Sequence, residues 1–151
     1  MKNKIHNINV IAKEKLPSPK ALKETLPLTP KARKTVLAKR KELMSILDGN
    51  DSRLVVVVGP CSIHDTNLAK DYALRLKELS KELEDSFLVL MRVYFEKPRT
   101  TTGWKGLIND PNIDDTFQID KGIHIARSLL IDLNEMGLGV ATEALDPIMP
   151  Q

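Results

Sequence analysis

The sequence predicts an α/β fold, a parallel sheet preceded by a helical N-terminal extension. Three apolar runs of strand length occur at 54–58 (LVVVV), 87–95 (FLVLMRVYF) and 139–146 (GVATEALD). Two long amphipathic segments separate them, so the order is β-α-β-α-β. Strands joined through helices run parallel, with right-handed crossovers. Such a sheet carries helices on its faces, either as an open doubly wound sheet or as a closed barrel.

The extension, residues 1–50, is expected to be mainly helical. Ser18-Pro19 and Thr29-Pro30 each place a hydroxyl residue before a proline, a pattern typical of a capped helix start. The second helix is expected over about 30–48, before a glycine that favours a helix end. A short strand is also expected within 8–12 (INVIA). The predicted apolar face of the second helix comprises Val36, Leu37, Leu43, Met44 and Leu47.

From residue 51 to residue 151 the pattern is that of strands and crossover helices. The β-branched run at 54–58 is typical of a strand buried on both faces. Helices are expected over about 67–84 and 118–136, separated from one another by the second strand and a long loop. Their predicted apolar stripes are Leu68, Tyr72, Leu76, Leu79 and Leu83 in the first helix, and Ile119, Ile123, Ala126, Leu130 and Leu133 in the second.

Composition and charge restrict the class of protein. The 151 residues, 42% hydrophobic and 28% charged, suffice for one domain with a core. No apolar run approaches the ~18 residues of a membrane span, and no signal peptide is recognisable. With a single cysteine, which suits a reducing compartment, a cytoplasmic location is expected. Residues 1–50 carry net charge +8 and residues 51–151 carry −5, but the lysines have helical spacing. A solvated helix face is therefore favoured over a nucleic-acid partner.

The loops that follow the strands are the places to look for chemistry, because active sites of parallel α/β proteins lie at the carboxyl ends of strands. Gly59-Pro60 forces a turn at the end of the first strand and brings Cys61 to this edge. Three interpretations of Cys61 are open: a nucleophile with His64 as its base, a metal ligand, or a small packing residue. His64 by itself is expected to be a surface or capping residue.

Arg92 stands among apolar neighbours near the end of the second strand. Arginine does not lose its charge, so it needs a carboxylate or phosphate partner there. A structural acid, Glu96 or Glu143, and an anionic substrate are the two alternatives. Glu143 resembles Arg92 in being a charge within an apolar strand; either it orients a cation or hydrogen-bonds a water, or it is a structural partner of Arg92 or Lys97.

A second group of cations follows in the next loop, where Lys97, Pro98, Arg99 and Thr100 supply two charges, a hydroxyl and a rigid proline. Two glycines, at 103 and 106, permit close approach of the backbone to a ligand. Together with their place at the strand ends, these residues favour a site for phosphate, or for phosphate and carboxylate. No Walker A or GxGxxG pattern supports nucleotide chemistry.

The stretches LVVVVGPCSIHD, MRVYFEKPRTTTGWKGLINDP and ATEALDP closely resemble the bacterial type I 3-deoxy-D-arabino-heptulosonate 7-phosphate (DAHP) synthases, also called phospho-2-dehydro-3-deoxyheptonate aldolases. The resemblance implies the first three strands of a (β/α)₈ barrel behind an N-terminal extension. It further implies condensation of phosphoenolpyruvate with erythrose 4-phosphate, the first step of aromatic amino acid biosynthesis. A divalent metal such as manganese, iron or cobalt is implied as cofactor.

The resemblance also implies roles for individual residues. Cys61 matches a thiolate metal ligand. Arg92 and Lys97 match residues at phosphoenolpyruvate, with Lys97 as the catalytic lysine. Pro98, Arg99 and Thr100 match the element that holds the aldose phosphate, and Glu143 is expected to be substrate-binding as well.

Further implications concern assembly and completeness. The family is typically dimeric or tetrameric, and its extension takes part in dimer contacts and in inhibition by an aromatic amino acid. A complete (β/α)₈ barrel needs roughly 250 residues, and the family's other metal ligands lie in later strands. We therefore expect a truncated chain that is inactive alone. The alternative is a non-catalytic fragment that associates with full-length synthase subunits.

Overall fold

The computed structural model of the chain describes residues 15–99 and 101–145. Its sheet has three parallel strands in the order β1-β2-β3: β1 (Leu54–Val58), β2 (Phe87–Arg92) and β3 (Val140–Ala141). The helices are α1 (Pro19–Thr25), α2 (Pro30–Leu47), α3 (Thr66–Glu82) and α4 (Ile119–Glu135). The predicted α/β class and the parallel β-α-β-α-β order are confirmed. The strand expected within 8–12 lies outside the described residues.

Both helices of the extension begin where the sequence predicts. The Ser18 hydroxyl accepts the Ala21 N–H at 3.2 Å, and the Thr29 hydroxyl accepts the Ala32 N–H at 3.1 Å. Each helix has proline at its first turn, where a missing N–H costs nothing. The Thr29 hydroxyl also donates to the Glu135 carboxylate, which ties the start of α2 to the end of α4.

The predicted apolar face of α2 is wrong at three of its five residues, which are exposed to solvent. Leu37, Met44 and Leu47 are exposed, and Ala32 is the residue of α2 that is fully buried. Val36 and Leu43 lie on the inner side, where they line a space shared with β2 and α4. Helix α2 thus turns the side that bears Ala32, Val36 and Leu43 inward. The spacing of apolar residues along the helix did not determine which of them are covered.

The prediction that β1 is buried on both faces is also wrong. Leu54 is 64% exposed and Val57 is 49% exposed. Among the described residues β1 has one strand neighbour, β2, and so forms an edge of the sheet. The strand that matches the expectation of full burial is β2, where Leu88, Val89, Leu90 and Met91 are all buried.

The crossover helices differ in how well their stripes were predicted. In α4 the predicted Ala126 and Leu133 are buried, together with Leu129. In α3 the stripe is wrong at Leu68 and Leu79, which are exposed. The buried face of α3 consists of Ala69, Ala73 and Leu76. Two small side chains, Ala69 and Ala73, let this helix lie close to the sheet, while Leu68 and Leu79 face outward.

Strands β2 and β3 end earlier than the sequence predicts. Beyond Arg92, the Val93 N–H still donates to the Ala141 carbonyl at 2.8 Å. One residue further on, the Tyr94 carbonyl accepts the N–H of Ile63 at 2.9 Å. Ile63 belongs to a loop and not to a strand. This change of partner ends the ladder and places Arg92 at the end of its strand. Within the described part of the chain, no helix is long and apolar enough to cross a membrane.

Candidate functional site

Two loops, 59–65 and 96–106, meet at the carboxyl ends of β1 and β2. The Ile63–Tyr94 bond fastens the first loop, and the Lys97 N–H donates to the Lys105 carbonyl at 3.0 Å to close the second. Gly106 has φ +102°, and a Cβ there would run into the backbone of Phe95 and Glu96. These main-chain contacts fasten the first loop to the segment that follows β2 and close the second loop beside it.

Arg92 is held by main-chain carbonyl groups. Its Nε donates to the Pro60 carbonyl at 3.2 Å and its Nη2 to the Gly59 carbonyl at 2.8 Å. The guanidinium also lies over the Tyr94 ring, 4.9 Å from the ring centroid. The sequence had pointed to a carboxylate or phosphate as the partner, whereas these bonds are made to neutral carbonyls. They use two of the five N–H donors of an arginine.

Glu143 is exposed, and its carboxylate lies beside the Tyr94 hydroxyl. Burial raises the pKa of Tyr94 above its ordinary value, and the hydrogen bond and charge of Glu143 act in the same direction. The expectation of a structural pair between Glu143 and Arg92 is thus replaced by a chain of contacts that passes through Tyr94.

Cys61 is exposed and lies against Lys97, whose Nζ donates to its Sγ at 3.2 Å. This hydrogen bond, and then the lysine charge, lower the pKa of the Cys61 thiol, with smaller contributions from Arg92 and Arg99. A thiol of lowered pKa has thiolate character, which a nucleophile or a metal ligand requires. Exposure contradicts the interpretation of Cys61 as a packed small residue. The sequence offered His64 as the partner of the thiol, and the hydrogen bond comes instead from Lys97, 36 positions away.

The cationic loop presents its charges to solvent. Pro98 and Arg99 are exposed, and the Arg99 N–H donates to the Lys97 carbonyl at 2.8 Å in a tight turn. Gly103, at φ +95°, lies beside the Arg99 side chain. Thr100, the predicted hydroxyl of this element, lies outside the described residues.

A buried carboxylate, Asp110, fixes the far end of the same loop. It is 2% exposed and receives the N–H groups of Asp114 at 3.4 Å and Asp115 at 3.3 Å. Its own carbonyl accepts the Trp104 Nε1–H at 2.7 Å. Sequence reasoning missed this anchor, although the dipeptide Asp110-Pro111 is a turn signal that marks it.

The described residues do not form a complete metal centre. Within 15–99 and 101–145, no group of three or more His, Cys, Asp or Glu side chains lies together in a way that could hold an ion. An exposed thiol of lowered pKa fits the donor chemistry of one ligand for a first-row transition metal. Cys61 can thus supply one ligand, and no other is visible in these parts of the chain.

The structure thus brings Arg92, Lys97 and Arg99 to the carboxyl edge of the parallel sheet of an α/β protein, the edge at which such folds carry their ligand sites. Comparison with known proteins identifies the family to which this α/β protein belongs. The sequence profile of the DAHP synthetase I family matches residues 25–151. The chain belongs to this family, as its motifs predicted.

Individual relatives agree with this assignment. The chain is 59% identical over 139 residues to the Phe-sensitive phospho-2-dehydro-3-deoxyheptonate aldolase of Escherichia coli K12. The matched segment covers 92% of this chain and 39% of the relative. The chain is 49% identical over 150 residues to the Tyr-sensitive enzyme of the same strain, covering 99% of this chain and 42% of the relative. The chain therefore spans about two fifths of the length of these relatives.

A solved structure shows the same fold. The phospho-2-dehydro-3-deoxyheptonate aldolase of Francisella tularensis SCHU S4 superposes with a TM-score of 0.90 at 51% sequence identity. The superposition covers 94% of this chain and 42% of that chain. The helical extension and the three-stranded parallel sheet are thus shared with a synthase of known structure.

Proposed function

We propose that this chain forms one side of the active site of a DAHP synthase, which condenses phosphoenolpyruvate with erythrose 4-phosphate and releases inorganic phosphate. The observation that carries the proposal is the meeting of Arg92, Lys97 and Arg99 around Cys61, where all three cations lower the pKa of the thiol. Both substrates are phosphate esters and one is also a carboxylate, so a site with several fixed cations suits them.

Arg92 and Lys97 are assigned to phosphoenolpyruvate. The two carbonyl bonds occupy the Nε and Nη2 edge of Arg92, so an incoming carboxylate or phosphate meets the Nη1 and Nη2 edge. Lys97 is proposed as the catalytic lysine, because its ammonium group contacts the Cys61 thiol at 3.2 Å, where the charges of Arg92 and Arg99 also act. There it stabilises negative charge on the reacting phosphoenolpyruvate.

The remaining site residues are assigned to the sugar phosphate and to the edge of the site. Pro98, Arg99 and Thr100 form the element that holds the phosphate of erythrose 4-phosphate, with Pro98 restricting the turn. Glu143 is proposed to be substrate-binding, close to the Tyr94 hydroxyl that it contacts.

Cys61 is proposed as one ligand of a divalent metal such as manganese, iron or cobalt. Thiolate ligands suit these metals better than magnesium. When bound, such a metal supplies Lewis acidity toward a carbonyl oxygen. The contribution of this chain is to lower the pKa of the thiol through Lys97 and to hold the thiol beside the proposed anion site.

The surrounding architecture is proposed by analogy with the relatives. Residues 51–151 would be the first three strands of a (β/α)₈ barrel in a cytoplasmic enzyme. Residues 1–50 would contribute to contacts of a dimer or tetramer. Relatives named Phe-sensitive and Tyr-sensitive suggest an aromatic amino acid as effector.

The proposal is tested by placing this chain in a full-length setting. A chimera in which it replaces the matching 139 residues of the Escherichia coli Phe-sensitive relative is assayed for release of phosphate from phosphoenolpyruvate in the presence of erythrose 4-phosphate and manganese. We expect turnover near that of the parent, and a loss of about a hundredfold or more in kcat/KM for Arg92→Ala, because the charged group that binds the substrate anion is removed. Lys34→Ala, on the exposed side of α2, is the matched control. A folded chimera without turnover would contradict the proposal.

A second candidate function, a non-catalytic fragment that associates with full-length synthase subunits, is favoured by the exposed apolar residues of β1 and α2. Leu54, Val57 and Met44 are uncovered in the structure. Co-purification of the tagged chain with the Escherichia coli relative would support this function. A chain that remains alone at micromolar concentrations of both proteins would remove it.

A further inference from the structure

We propose that Tyr94 is a positioning residue for Arg92, which holds the guanidinium so that one edge is directed toward an anion. The inference rests on the proposed function, in which Arg92 binds phosphoenolpyruvate. Tyr94 itself is not assigned to the substrate. Its role is to restrict the orientation of the arginine that is.

The hydrogen bonds of Arg92 to the two carbonyl groups leave the tilt of its guanidinium plane uncontrolled. Its hydrogen bonds to Gly59 and Pro60 both lie on the Nε and Nη2 edge. Hydrogen bonds in the plane of the guanidinium set its distance from the loop, but they tolerate tilting of that plane. The guanidinium lies over the face of the Tyr94 ring, with Cζ 4.9 Å from the ring centroid, and this attraction opposes the tilt.

Tyr94 is itself fixed at both ends. Its carbonyl accepts the N–H of Ile63, which is 2% exposed, and the preceding Val93 carbonyl accepts the Thr142 hydroxyl at 2.7 Å. At the other end of the side chain, the hydroxyl lies beside the Glu143 carboxylate. The backbone on either side of the ring is thus fastened to the cysteine-bearing loop and to the segment that follows β3, which makes the ring a firm support.

The cost of removing the support follows from the strength of the contact. A cation–π contact at a half-exposed position corresponds to roughly a threefold to tenfold change in an equilibrium constant. We expect a loss of this size in affinity for phosphoenolpyruvate when the ring is removed. A smaller loss is expected when the hydroxyl alone is removed, because the ring remains over the guanidinium.

The first experiment follows the Arg92 Nε–Hε signal of the ¹⁵N-labelled 151-residue chain by NMR, without ligand. Tyr94→Leu is expected to lower the order parameter of this signal and move it toward the position of a free arginine. Tyr94→Phe is expected to restore most of the order. Tyr72→Leu, which removes a half-buried ring from α3, is the matched control and should leave the signal unchanged. An unchanged Arg92 signal in Tyr94→Leu would overturn the proposal.

Glu143→Gln is the second variant, because an exposed side chain can be changed without disturbing the core. It weakens the hold on the Tyr94 hydroxyl and should lower the Arg92 order by less than Tyr94→Leu does. If Tyr94→Leu does not fold, Tyr94→Met, a flexible side chain without a ring, takes its place: a loss of Arg92 order in this variant supports the positioning role, and an unchanged signal refutes it.

The second experiment measures, in the chimera, KM for phosphoenolpyruvate and kcat. A positioning role predicts a KM raised about threefold to tenfold in Tyr94→Leu, recovery in Tyr94→Phe, and a smaller change in kcat. Equal KM values in the parent chimera and Tyr94→Leu would refute the positioning role and leave the proposed function standing. A chimera without turnover, in which Tyr94→Leu still disorders Arg92, would refute the function and leave the positioning role standing.

Discussion

Gly59→Ala is the substitution that most directly tests how the site is built. A Cβ at Gly59 would meet the Arg92 carbonyl oxygen, and would lie 3.0 Å from the Arg92 Cβ and amide nitrogen. These atoms belong to a central strand and cannot swing aside, so the loop must move away from β2. Overpacking of this kind costs about 1–3 kcal/mol. The same movement withdraws the Gly59 carbonyl from the Arg92 guanidinium, a bond of 2.8 Å in the native chain.

The assay combines urea unfolding, followed by circular dichroism, with the Arg92 NMR signal. We expect a lower free energy of unfolding by about 1–3 kcal/mol together with a displaced Arg92 signal. Gly49→Ala is the matched control: φ is +74° and, apart from Gly49 and its chain neighbours, no atom of the residues that the structure describes lies within 4 Å of the added Cβ. It should cost about 1–2 kcal/mol through backbone strain alone and leave Arg92 unaffected. A Gly59→Ala chain with native stability and a native Arg92 signal would refute this description of the site.

Three further substitutions test other parts of the structure. Lys97→Met should raise the pKa of the Cys61 thiol, because the lysine is the main cause of its lowering; the thiolate then forms at higher pH, and the pH profile of the iodoacetamide reaction rate shifts upward. Leu133→Ala should lower the free energy of unfolding in urea by about 2–5 kcal/mol, since Leu133 is fully buried. Thr29→Ala should lower it by about 1 kcal/mol, because the hydroxyl caps α2 and contacts α4.

Each substitution has a control in the same chain. Lys34→Met removes an exposed lysine far along α2 and should leave the thiol profile unchanged. Leu47→Ala, at a position 74% exposed, should change stability by less than about 0.5 kcal/mol. Ser18→Ala uncaps α1, which buries no residue, and should cost less than Thr29→Ala. An unshifted thiol profile in Lys97→Met, or equal costs within either stability pair, would contradict the corresponding prediction.

The features that the sequence predicted well are those determined locally. The starts of α1 and α2 depend on a hydroxyl and a proline a few atoms apart, so Ser18 and Thr29 identified them. The parallel order of strands follows from the alternation of apolar runs with amphipathic segments. The cations of the site were also recognisable, because their motifs are long enough to identify a family.

The features that it predicted poorly depend on partners distant in the chain. The period of α2 and α3 shows that a face is apolar, but which apolar residues are covered depends on how each helix is rotated against the sheet. The burial of β1 depended on a second strand neighbour that the described residues do not supply. Likewise, the contact of Lys97 with Cys61 joins two loops, and no local spacing predicts it.

The uncovered strand β1 has a consequence for how the chain behaves in concentrated solution. Its outer backbone groups are a template for intermolecular pairing, and LVVVV has the β-branched, uncharged character of aggregation-prone segments. The run is bounded on both sides by residues that oppose its extension. Arg53, paired with Asp51 at 2.8 Å and Glu42 at 3.2 Å, places fixed charge before it, and Pro60 interrupts it after Gly59. These residues act as gatekeepers that confine the risk of self-assembly to five positions.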